Sequence, residues 1–230
     1  MSRVPVAVSR LRENDSRDAQ VNRAVRWLLA QPGGDVLVVT PSSDPGYEGL
    51  KQLIKHPRVS HHAWRGHHAG AFDGLRVLYA WPDRKHLNEI WNAEADAIAI
   101  IEWNEDVTAE WRTDVNPIQL FAGETIEPQP QQDTELDRLP NGVDAILEHI
   151  AAMAAGYSSG LKWNEEDKLK ADMMNRPERW VPVTVEQVRA KCRALGMKAN
   201  DVDTIVDFVQ RRKDGRRFNV RSSYRDFQFR

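Results

Sequence analysis

Four of the chain's seven histidines fall within eight residues, in SHHAWRGHHAG, Ser60 to Gly70, with Trp64 and Arg65 between the two pairs. Imidazole nitrogen is a common metal ligand, and a zinc site needs three or four protein ligands within about 2.1 Å of the ion. If RVSHHAW is a strand, His61 and His62 point to opposite faces, so at most one of them serves a given site. A metal-dependent hydrolase would then combine His61 with His67 and His68 past Gly66, and with a distant partner such as Asp73, His86 or Glu102. The plainer expectation is a polar strand end running into a loop.

Three other stretches carry residue types that could do chemistry. TPSSDPGYEG, Thr40 to Gly49, lies between an apolar strand and a helix, where Ser42 and Ser43 and free helix N–H groups would suit an anion. IIEWNEDVTAEW sets Glu102 at a strand end with Glu105 and Asp106 behind it, a spacing open to magnesium or simply to acids at a helix start. The last twenty residues, RRKDGRRFNVRSSYRDFQFR, hold eight arginines and lysines against Asp214 and Asp226. There Arg211, Arg212, Lys213, Arg216, Arg217 and Arg221 are the candidate phosphate contacts, with Phe218 and Tyr224 packing or stacking on bases.

What is missing narrows the chemistry further. No dinucleotide glycine fingerprint and no Gly-Lys-Ser/Thr phosphate loop occurs, so no cofactor is expected. There is no Gly-x-Ser-x-Gly, and the single cysteine, Cys192, falls on an apolar helix face, which disfavours nucleophilic hydrolysis and forbids an intrachain disulfide. The start, MSRVPVAVSRLREND, lacks the apolar core of a signal peptide and no run approaches a membrane span, so a cytoplasmic protein with no membrane partner is expected.

The elements that must position these residues follow from periodicity. VPVAV, DVLVVT, RVSHHAW, LRVLYAW and DAIAIIEW are strand candidates. Helices between them carry Val21, Ala24, Val25, Leu28 and Leu29, then Tyr47, Leu50, Leu53 and Ile54, then Leu87, Ile90 and Trp91 on their apolar sides. Asp44, with Pro45 at the first position, and Asp83 are the expected caps of the second and third of these. Such alternation predicts an α/β fold, an open and mostly parallel sheet with helices on both faces, over residues 1–121. Trp81 and Trp103 close two strands that would be neighbours, which would put both indoles on one rim.

Residues 122–133 open a stretch rich in Pro, Gln and acids and read as a linker; residues 134–230 then read as a smaller, mainly helical domain. Asn164, Thr184 in a capping box with Gln187, and Asn200 are the expected helix starts. Two helices joined at Gly196, followed by a basic β-hairpin, would outline a winged-helix-like module. Against groove reading stand Asp201, Asp203 and Asp207 on the second helix of the pair.

Charge is unevenly spread: residues 1–82 carry 11 Lys/Arg against 7 Asp/Glu, residues 83–137 carry 3 against 14, and residues 138–230 carry 18 against 13. The middle is acidic and the end basic, which points to a polyanion partner for the end. Over Val77 to Trp103, VLYAWPDRKHLNEIWNAEADAIAIIEW is similar to a group of uncharacterised two-domain proteins from actinobacteria, with a strand ending in proline, a helix, and a strand closing on an acid. That resemblance implies an α/β first domain and a helical second one, and brings no activity with it.

Three function classes therefore stand at this stage. The first is a non-catalytic protein whose basic terminal domain binds nucleic acid. The second is a protein-interaction or self-associating module that uses the acidic 83–137 surface, and the third is the metal-dependent hydrolase built on the histidine cluster.

Overall fold

The structure is a computed structural model, and it describes residues 4–64, 72–91, 93–128, 139–155 and 160–230. Contacts divide the chain into two compact units, Met1–Gln132 and Asp133–Arg230.

The first unit is an α/β sheet of seven strands in the order β3-β2-β4-β5-β1-β6-β7. β1 (Val6–Ser9), β2 (Val36–Thr40), β3 (Val59–Ala63), β4 (Arg76–Ala80), β5 (Ala97–Ile101) and β6 (Ile118–Phe121) pair in parallel, and β7 (Glu124–Ile126) returns antiparallel on β6. β2 and β5 are buried at every position, as expected of strands covered on both faces. β3 is the edge strand, and its burial alternates, with Ser60 and His62 exposed between half-buried neighbours. That is why its sequence is polar where β2 and β5 read as continuous apolar runs.

α1 (Arg17–Leu29) crosses β5, β1 and β4, and α2 (Glu48–Leu53) packs beside it. Val21, Ala24 and Leu28 of α1 and Leu50 of α2 meet Val36, Val38, Leu78, Ala80, Ala99 and Ile101 on one face of the sheet. Side chains of opposite parity, such as Ile98, turn to the other face, where they meet Ile90 of α3 (Arg84–Ile90) and Trp111 of α4 (Glu105–Val115). Local chemistry sets the helix starts: Asp83 accepts the His86 N–H at 2.9 Å and Asn104 accepts that of Asp106 at 2.9 Å.

Two expectations are corrected here. Asp44 does not cap α2, because its carboxylate accepts the Gly46 N–H at 2.9 Å and Gly46 takes φ 74°, a left-handed turn that delays the helix to Glu48. Residues 124–126, expected to lie in the linker, instead form β7, turned back on β6 through Gly123. The remainder of the expected linker, from residue 129, and the expected break at residues 156–159 lie outside the described residues.

The second unit is helical: α5 (Val143–Ala155), α6 (Trp163–Asn175), α7 (Pro177–Trp180), α8 (Val185–Ala194) and α9 (Ala199–Lys213). They enclose a core that includes Ile146, Leu147, Ile150, Leu169, Val188, Cys192, Ile205 and Val209. The capping box at α8 forms as expected, Thr184 accepting the Gln187 N–H and Gln187 the Thr184 N–H. Asn164 and Asn200 do not cap; Lys162 and Lys198 hold the N-cap positions of α6 and α9. The expected basic hairpin is not formed, since residues 214–230 contain a 3-10 turn at Ser222–Tyr224 and no strand. Among the described residues, no helix is long and apolar enough to cross a membrane.

Candidate functional site

The basic end of the chain is shaped by what anchors it. α9 closes with Arg211, Arg212 and Lys213, and Gly215 at φ 77° then reverses the chain. The following segment lies back on α6. Asn175 Nδ2 donates to the carbonyls of Arg225 at 2.9 Å and Phe227 at 3.1 Å, Arg176 Nε donates to Gln228 at 2.7 Å, and the Phe229 N–H donates to Asp172 at 2.9 Å. Phe218 completes the docking with its ring 5.7 Å from that of Phe208. Backbone groups of Phe218, Arg225, Phe227 and Phe229 thus pair with α6 side chains rather than with a partner strand.

Docking of the tail brings three arginines together. Arg212 from α9 and Arg217 and Arg225 from the tail line one open cleft of about 390 Å³, with Asn175 and Asn219 beside them. Arg212 Nε donates to the Met173 carbonyl at 3.1 Å, which fixes the guanidinium. Arg216, Arg217 and Arg225 are exposed. The remaining expected contacts are engaged within the unit: Arg211 pairs with Asp207 at 2.8 Å, Lys213 donates to the Val181 carbonyl at 3.3 Å, and Arg221 pairs with Asp167 at 3.0 Å. Arg225 was not among the residues singled out from the sequence, because only the fold of the tail against α6 brings it to Arg212.

Acids on α9 are also neutralised locally. Asp201 is buried and accepts the Leu161 N–H at 2.8 Å, while Asp203 pairs with Arg189 at 3.2 Å. Burial pushes the Asp201 carboxyl above its usual range. Cys192 is fully buried, and burial pushes its thiol up to about 12, which removes it as a nucleophile near neutral pH.

No family model matches the chain, and no curated protein or solved structure matches it.

In the first unit the rim at the carboxyl ends of the strands gathers the other candidates. The chain leaves β2 toward β3 and β4 toward β5, so the crevice of this sheet lies between the ends of β2 and β4. Thr40 and His61 meet on the other side of β2, toward the edge strand β3, with Thr40 Oγ1 at 2.6 Å from His61 Nε2 and from the Ser42 carbonyl. The single hydroxyl proton goes to that carbonyl, so His61 Nε2 carries the hydrogen toward Thr40. Burial, with a smaller contribution from His62, lowers the His61 pKa and favours the neutral ring. Trp81 takes φ 54° at the end of β4 and packs 5.0 Å from Tyr47 and 6.3 Å, edge-on, from Trp103. The two indoles expected on one rim therefore touch.

Neither the anion loop nor the metal cluster is assembled by these contacts. Ser42 Oγ donates to the Asp44 carbonyl at 2.7 Å, and Ser43 is exposed on a loop whose helix starts only at Glu48. Glu102 is held by Arg10 at 3.0 Å, by the Thr108 hydroxyl and by Arg112. It ends β5, three strand spacings or about 14 Å from β3 and His61, too far to share an ion. His67 and His68 lie outside the described residues, among which no group of three His, Cys, Asp or Glu could hold a metal ion.

Proposed function

We propose that the chain binds nucleic acid through contacts from its second unit to phosphate. The observation that carries this reading is the cleft in which Arg212, Arg217 and Arg225 converge. Guanidinium groups match phosphate oxygens bidentately, and three of them on one open concave surface make an anion site that single exposed lysines do not. The local excess of 18 Lys/Arg against 13 Asp/Glu over residues 138–230 adds long-range attraction. With Asp201, Asp203 and Asp207 taken up by internal partners, the carboxylates that would repel a polyanion on α9 are neutralised or buried.

The acidic 83–137 stretch offers less. Glu102, Glu105, Glu110, Asp114 and Glu124 are committed to Arg10, Arg112, Arg84, Trp91 and Arg12, so much of the negative charge is spent inside the first unit.

Fluorescence anisotropy with labelled oligonucleotides at two salt concentrations tests the proposal. Binding that weakens linearly in log-log form as salt rises is expected, with a dissociation constant of about 10⁻⁴ to 10⁻⁶ M at physiological salt. Weakening by the charge reversals Arg217→Glu and Arg225→Glu is expected too. No binding at low salt, or binding indifferent to both reversals, overturns it.

A further inference from the structure

At the other end of α6 from the arginine cleft the same tail builds an aromatic pocket, and from it we infer that the preferred partner is single-stranded, with an unpaired base stacked at Trp163. This rests on the nucleic-acid reading above and names the substrate class of that face.

Trp163 is the first residue of α6 and remains 54% exposed, and Met153 close by remains 42% exposed. Single exposed apolar side chains are ordinary, but an indole and a thioether left open in one pocket form a surface that suits a flat apolar partner. The two residues line a pocket of about 320 Å³ together with Lys162, Asn164, Tyr224 and Glu165, the last paired with Lys168 at 2.8 Å. Tyr224 meets Trp163 edge-on at 6.2 Å, and the Arg221 guanidinium lies 3.9 Å from the indole centroid. Arg221 also pairs with Asp167 at 3.0 Å, which favours its place over the ring. An indole clamped by a cation and a tyrosine is a preorganised stacking platform, with little side-chain freedom left to lose on binding.

Trp163 opens α6 and Asn175 closes it, so this platform and the phosphate cleft lie at the two ends of one helix, about 18 Å apart. Tyr224 lines the aromatic pocket and Arg225, the next residue, lines the arginine cleft. Tyr224 reaches toward the start of α6 while Arg225 is tied to its end, so a strand whose phosphate sits at Arg225 reaches Trp163 with a base a few nucleotides further along. In a duplex the bases are stacked on one another and paired, and their faces are not available to the indole. A single strand offers both groups at once, and stacking tolerates any base because each has a π face. Pocket residues Lys162 and Asn164 add polar contacts to sugar or base edge without imposing a sequence.

The test compares three fluorescein-labelled probes of equal phosphate count on the full chain: a single-stranded DNA, a blunt duplex and an abasic strand that keeps only sugar and phosphate. Tighter binding of the single strand than of both others is expected, by roughly tenfold or more. Trp163→Ala is expected to lose a similar factor on the single strand alone, with Trp163→Phe recovering most of it and the salt slope unchanged. Equal binding of abasic and normal strands by the unaltered protein overturns the stacking inference, whatever the folding of the variants. If that equality appears while Arg217→Glu still weakens binding, the phosphate reading stands and only the strand preference falls. If no probe binds at low salt, both fall.

Discussion

The Asp172 carboxylate accepts the backbone N–H of Phe229 at 2.9 Å, tying residue 229 to the last turn of α6. The same fully buried carboxylate accepts Trp180 Nε1 at 2.9 Å and pairs with Arg179 at 3.2 Å. One side chain thus joins α6, α7 and the tail, and through the tail it positions Arg217 and Arg225.

Asp172→Ala should therefore be strongly destabilising. It leaves the buried Arg179 without its counterion and the Trp180 N–H without an acceptor, at a cost of about 3–5 kcal/mol. Chemical denaturation would show the loss, and hydrogen exchange should show residues 216–230 opening first. Wild-type protection of the tail in that variant would refute the anchoring role.

Arg217→Ala and Arg211→Ala should separate in their salt dependence. Arg217 is exposed and lines the cleft, whereas Arg211 is already paired with Asp207. Removing one phosphate contact should lower the slope of log K against log salt by about 1. The slope should fall for Arg217→Ala and hold for Arg211→Ala, and the reverse result would move the site up the helix.

The contact between Thr40 and His61 has a consequence for pH. His61 is held neutral with its folded pKa below the ordinary value. Between the folded and unfolded values the unfolded chain binds more protons, so this contribution to stability is full above about pH 6.5 and is lost as pH falls through that value toward the folded one. Proton NMR of the His61 ring should show titration below the ordinary histidine range. His61→Gln should remove its share of the acid-side slope, and an unchanged slope would count against the assignment.

Cys192 should resist thiol reagents in the folded protein. Burial excludes the reagent and suppresses the thiolate at neutral pH. Labelling is expected only as the second unit unfolds, with a rate that follows denaturant; fast labelling of native protein would contradict the packing of α8.

Glu102→Gln should destabilise the first unit rather than abolish a reaction. The carboxylate is 6% exposed and balances Arg10 and Arg112. Loss of its charge strands two partly buried guanidinium groups, for about 2–4 kcal/mol in a thermal or denaturant melt. Stability equal to wild type would show that Arg10 finds its partner elsewhere.

Much of the secondary structure is legible in the sequence because it is set by near neighbours. Apolar runs such as DVLVVT mark strands buried on both faces, and caps such as Asp83 and Thr184 act over three residues, so the local sequence determined them. The caps that failed, Asp44, Asn164 and Asn200, had competing local geometry or lay inside the helix they were to start. β6 and β7 were missed because each is short and carries exposed or half-buried polar positions.

What the tertiary structure alone decided is which distant residues meet. Strand order set His61 on an edge and Glu102 three strands away, because pairing partners depend on crossovers rather than on spacing along the chain. Six basic residues near the end could be counted from the sequence, but their fates diverged: Arg211, Lys213 and Arg221 found partners within the unit, Arg216 stayed exposed, and Arg212 and Arg217 joined Arg225 in one cleft. That sorting came from the docking of the tail on α6, a contact closed by a buried carboxylate some fifty residues upstream. A charge count can predict attraction, but only the folded backbone fixes where guanidinium groups converge, since each side chain pairs with whatever acceptor the fold brings within hydrogen-bond distance.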